Sequence, residues 1–145
     1  MTQEEKILLL QDLCARLPYG VKCCYDILSG EIKIDTLICN NKVIIGQGIY
    51  WDSYFENCDE DIPLETVRPY LRPLSSMTDE EKEELRQEQI KDEQLFADCI
   101  KNHPEMRGKV IPHFAADWCN KHHFNYRLPD HLFITVTETN NPYKV

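Results

Sequence analysis

Pro69-Tyr-Leu-Arg-Pro-Leu-Ser-Ser-Met-Thr-Asp-Glu-Glu-Lys-Glu-Glu-Leu85 divides the chain. Two prolines four residues apart end the extended structure before them, because proline brings no N–H to a sheet or a helix interior. Thr78 and Glu81 then fit a capping box, in which hydroxyl and carboxylate each satisfy a free amide at a helix start. A β-rich half of about residues 1–74 hands over here to a helix-rich half of about residues 75–145. The 145 residues read as one domain of α+β class.

Working back from this hinge, Leu64 to Leu71 reads as a short strand that Pro69 confines to a sheet edge. Residues 52–63 are polar and acidic and read as a loop. Before them lies a meander of alternating segments. Val21, Cys23, Tyr25 and Ile27 form the first, and Ser29-Gly30 turns the chain. Ile32, Ile34, Thr36 and Ile38 form the second, Asn40-Asn41 suits a hairpin turn, and Val43, Ile45 and Ile49 form the third. Gly46 and Gly48 suggest a bulge or bend. Such a meander needs a covering layer. The first helix supplies it: Thr2 and Glu5 make a capping box, and Ile7, Leu10, Cys14 and Leu17, with Leu13 alongside, recur at helical spacing over residues 3–16. The expected architecture is a small curled antiparallel sheet. Its strands allow either a partly open SH3-like barrel or a flat meander.

Working forward, residues 79–93 hold eight acids against three bases. Apolar residues are sparse until Leu95, Phe96, Cys99 and Ile100, so the helix is expected to be solvated at first, to dock by its C-terminal end and to break near residues 91–93. Asn102 to Lys109 reads as a loop. Pro112 opens a third helix whose buried stripe is Phe114, Ala115, Trp118 and His122. His131 to Glu138 alternates as a late strand, and Thr139 to Val145 reads as a frayed end.

The net charge of −9 argues against a broad nucleic-acid surface, which needs clustered Lys and Arg. The apolar run Ile7 to Leu10 is too short for a signal peptide or a membrane span, and the reading is a cytosolic protein. Seven cysteines without paired spacing read as free thiols in a reducing compartment.

Three segments carry a likeness. Leu13-Cys-Ala-Arg-Leu-Pro-Tyr-Gly-Val21, the Pro69–Leu85 stretch and His123-Phe-Asn-Tyr-Arg127 resemble a family of small uncharacterised proteins of gut anaerobes and their prophages or mobile elements. The resemblance brings no activity with it. It implies a small accessory protein of mobile-element origin. The chain departs from the family at Asn125, where Asp is usual, and at Leu128-Pro129, where Gly-Leu-Ile is usual.

Two groups of residues carry candidate chemistry. On a helix Cys119 would share a face with His122 and His123, and thiolate and imidazole are zinc ligands, with His131 or Asp117 as a fourth. The chain has no Cys-x-x-Cys, so no metal or cofactor is assigned and the group reads first as a cationic helix end complementing the dipole. Cys119 with His113 is the corresponding nucleophile pair, and no motif marks a lowered thiol pKa. The second group, Arg68, Tyr70 and Arg72, offers charge and an aromatic at an expected sheet edge, where chains add. The function expected from sequence is binding to a protein partner centred on these three residues. A small metal- or thiol-dependent enzyme using Cys119, His122 and His123 is the alternative.

Overall fold

The computed structural model describes residues 1–26, 30–102 and 114–143. Its elements are α1 (Gln3–Arg16), β1 (Lys22–Asp26), β2 (Ile32–Ile45), β3 (Gly48–Phe55), β4 (Cys58–Pro63), β5 (Arg68–Leu71), α2 (Asp79–Asn102), α3 (Phe114–Lys121) and β6 (Ile134–Thr135). They form an α+β fold around one six-stranded sheet of order β4-β3-β2-β1-β5-β6. The sheet does not close, so no barrel forms. It is mixed rather than antiparallel, because β6 joins β5 in parallel.

Both capping boxes form. Thr2 Oγ1 accepts from Glu5 N–H while Glu5 accepts from Thr2 N–H, and Thr78 and Glu81 repeat the arrangement. The face of α1 differs from the expected stripe. Leu9, Asp12, Leu13 and Arg16 are buried, whereas Ile7 and Cys14 are exposed and Leu10 only half packs on the core. The apolar pattern missed this face because an acid and a base stand on it. They are buried as an i,i+4 ion pair, Arg16 Nε to Asp12 Oδ2 at 2.9 Å.

The hairpin turn lies at Gly46-Gln47, not at Asn40-Asn41. β2 runs through both asparagines, and Asn40 Oδ1 accepts a 2.6 Å bond from Ser53 Oγ across the ladder. Gly46, with φ +61°, occupies the first turn position, where a type II′ hairpin asks for glycine. Residues 52–63 are therefore not a loop. β3 extends to Phe55 and β4 follows as an acidic edge strand, with Ile62 inward and Asp59, Glu60 and Asp61 exposed. The β3–β4 turn is pinned by the buried Asp35 carboxylate. It accepts from the Thr36 and Asn57 amides at 2.7 Å each and from Asn57 Nδ2 at 3.0 Å.

β5 is not an edge strand: it lies between β1 and β6. Pro69 is tolerated because the ladders around it are short. β1 pairs with β5 only at Arg68 and Pro69, and β6 only at Tyr70 and Leu71. The late strand shrinks to two residues after a 3₁₀ turn at Asp130–Leu132. α2 runs unbroken through residues 91–93. Leu85 in its first half packs on a satellite core of Met77, Trp118, Cys119 and Phe124, while Phe96 stays exposed; the side chains of Cys99 and Ile100 lie outside the described ones. Asp92 of α2 accepts bonds from the Phe114 and Ala115 amides and so caps α3 from a neighbouring helix. On α3, Trp118, Cys119 and Asn120 are buried and Phe114 is exposed. Ile27, Ser29, the loop after Asn102, Pro112 and His113 lie outside the described residues.

Candidate functional site

The hinge segment and the histidine group meet at the C-terminus of α3. The Phe124 amide donates to Cys119 O at 2.9 Å and the His123 amide to Asn120 O at 3.3 Å. These are the two bonds of a Schellman motif, and stacking of Phe124 on Trp118 at 5.6 Å supplies its apolar contact. His123 takes the left-handed position, φ +64°, where glycine is usual. The conformation costs an L-residue roughly 1–2 kcal/mol. The imidazole offsets this by stacking on Tyr143 at 3.6 Å.

Tyr143 also ties down the end of the chain, which the sequence reads as frayed. Its hydroxyl accepts from Lys22 N at 3.0 Å and donates to Tyr70 O at 2.7 Å. Burial pushes its phenol up from the ordinary value. Arg16 reaches the same junction from below, where Nη2 donates to Phe124 O at 2.6 Å. Asp12 Oδ1, Arg16 Nη1 and His123 Nδ1 are buried without hydrogen-bond partners among the described residues.

Cys119, His122 and His123 do not converge. The helix ends at Lys121, so the two histidines leave the face that a longer helix would give them. Cys119 borders an apolar groove between α2 and α3, with Leu85, Ala115, Ala116 and Tyr126, and burial pushes its thiol up. His122 stacks on Trp118 at 4.4 Å. His131 pairs with Glu5. Among the described residues no three His, Cys, Asp or Glu side chains group as a metal site.

The residues of the hinge separate likewise. Tyr70 is 7% exposed. Arg68 Nη1 donates to Glu65 O and Val67 O at 2.8 and 2.7 Å. Arg72 forks onto Glu81 with two 2.8 Å bonds and lies 4.1 Å over the Phe124 ring. That pair, helped by the Thr78 amide and against some desolvation, holds the Glu81 carboxyl down at about 2. The backbone of Arg72 also bonds the cap, from its amide to His123 O and from Asn125 N–H to its own carbonyl.

Beside this junction lies a cavity of about 560 Å³, whose walls include Arg72, Lys121, His122, His123, Glu138 and Tyr143. Burial first, then the neighbouring Arg16, His122 and Arg72, lowers the His123 pKa to about 4, so its imidazole is neutral at physiological pH.

A second surface lies at the opposite end of the sheet. β1 covers β2 only from Ile32 to Thr36, and β3 covers it only from Leu37 to Ile45. From Cys39 to Ile45 the β1 side of β2 has no strand partner among the described residues. Ile38 is the extra residue of a bulge between Leu37 and Cys39, and it is exposed. Ile44 and Ile45 are 67% and 66% exposed, and Ile49 and Tyr50 follow on β3. A cavity of about 260 Å³ opens beneath them between the hairpin and α1, walled by Ile7, Leu10, Ile49 and Trp51. The sixteen residues between Asp35 and Asp52 contain no acid and one base, Lys42. Alternation along the meander places these isoleucines in a covered sheet. The acid-free run was the signal available for them.

No protein-family model, curated protein or solved structure matches this chain. Among the described residues no helix is long and apolar enough to cross a membrane.

Proposed function

We propose that this is a small accessory binding protein that acts by taking up an extended segment of a protein partner along β2. The observation that carries the reading is the stretch Cys39–Ile45, which has no partner on one side among the described residues, with Ile38 exposed just before it and Ile44 and Ile45 exposed at its end. Edges of this kind accept added strands, whose backbone bonds supply affinity and whose alternate side chains supply specificity. The opposite edge, β4, is blunted by Asp59, Glu60 and Asp61, as edges closed to pairing usually are.

Charge selects the occupant. The hairpin is an acid-free island in a chain of net charge −9. Acids bordering it, Glu65 in the wall of the adjoining cavity among them, attract the basic flanks of an apolar strand, and the charge of −9 repels a second copy of this chain. This moves the proposed contact from Arg68, Tyr70 and Arg72, whose side chains serve the fold, to the hairpin.

The test uses two synthetic strand peptides of alternating Val and Thr, one flanked by lysines and one by glutamates, with binding read by fluorescence anisotropy. The lysine peptide binds, more weakly as salt rises. The triple variant Ile38→Thr, Ile44→Thr, Ile45→Thr weakens it at least tenfold while keeping its melting temperature. Equal binding of the glutamate peptide, unchanged binding by the variant, or a hairpin-dependent dimer in sedimentation would each overturn the reading.

A further inference from the structure

We propose that the cavity between the end of β5, the cap of α3 and the returning tail binds a single oxyanion group, a carboxylate or a phosphate, held by Arg72, Lys121 and the imidazole of His123. This site is separate from the hairpin and does not depend on it. Its walls gather Arg72, Lys121 and two histidines around one carboxylate, Glu138, in a chain that is otherwise strongly acidic. The volume of about 560 Å³ lies within the range of small-molecule sites.

The groups are also held in place before any ligand arrives. Arg72 is fixed by its fork onto Glu81 and by the Phe124 ring beneath it. Glu81 occupies two of the five N–H donors of a guanidinium, which leaves others free. His123 is fixed by the Schellman bonds and by Tyr143. The ring borders the cavity, while its Nδ1 is buried on the protein side and has no hydrogen-bond partner among the described residues.

A helix C-terminus ordinarily repels anions. Here the amides of His122, His123 and Phe124 take up the carbonyls of Trp118, Asn120 and Cys119, which weakens that repulsion. The charged and titratable groups around His123 are the Arg16–Asp12 pair behind it, Arg72 with its partner Glu81, Lys121, His122 and Glu138 in the cavity walls, and the Tyr143 phenol stacked on it. A bound anion would favour protonation of the ring.

The test follows histidine and lysine side-chain resonances of the full chain by NMR. Inorganic phosphate and acetate are added separately, at ionic strength held constant with chloride. Saturable shifts at His122, His123 and Lys121 are expected, together with an upward move of the His123 titration midpoint from its value of about 4. Lys121→Ala, and His123→Asn, whose side chain tolerates the left-handed backbone, should each weaken binding at least tenfold. Tighter phosphate binding assigns a phosphate group, and tighter acetate binding assigns a carboxylate. Shifts that never saturate, or affinities unchanged in both variants, would overturn the site.

Discussion

The junction around α3 and the β2–β3 hairpin use their residues in opposite ways. At the junction polar groups go inside: Asp12 and Arg16 are fully buried, and the Arg16 guanidinium holds the carbonyl of Phe124. At the hairpin apolar groups stay outside, with Ile44, Ile45 and Ile49 in solvent. Burying an ion pair seldom gains net stability over apolar packing, but removing one partner is costly. Leaving several large apolar side chains exposed together forgoes burial that folding could have gained. The contrast teaches that the junction is held in one geometry, whereas the hairpin leaves apolar surface free, as the proposed contact requires.

The sharpest way to break the contrast is at its buried pole. Arg16→Ala leaves the Asp12 carboxylate alone in the core and frees the Phe124 carbonyl. Urea denaturation should show a loss of about 3–5 kcal/mol, the usual cost of orphaning a buried charge. Replacing both partners, with Asp12→Leu and Arg16→Met, should recover part of it. A loss under about 0.5 kcal/mol for the single variant, the norm at surfaces, would mean the pair is not buried.

Acid probes the same region more gently. The His123 pKa is lowered to about 4 from 6.5, so the unfolded chain binds its proton more readily than the folded one. This contribution to stability is full above pH 6.5 and declines as pH falls from 6.5 toward 4. Melting temperatures across that window should fall for the native chain and fall less for His123→Asn. Parallel curves would place the proton elsewhere.

The smallest effect belongs to the hairpin. Ile44→Ala removes methyl groups already in water and should change stability by less than about 0.5 kcal/mol. A loss near the 2–5 kcal/mol of a buried aliphatic truncation would put Ile44 in a core.

What could be read from the residues was local. Thr2 with Glu5 and Thr78 with Glu81 announced two helix starts, because a cap is satisfied within one turn. The alternation of Val21, Cys23 and Tyr25 gave a strand for the same reason. The α+β class followed from such segments. Where a backbone group found its partner far along the chain, the sequence was silent. Asp12 and Arg16 interrupted the apolar stripe of α1, and only the approach of Phe124, more than a hundred residues later, explains their burial. Pro69 argued for an edge, yet β6 arrives from the other end of the chain just beyond it. Asn40 looked like a turn until Ser53 fixed the register. The acids of β4 looked like a loop until Ile62 and β3 gave them an edge to stand on. His123 carried no mark of its left-handed backbone, which needed the end of α3, Phe124 and Tyr143 together. Capping and alternation act over a few residues and are written in order along the chain. Sheet order, ion-pair burial and the two surfaces proposed for binding depend on which distant segments meet, and only packing decides that.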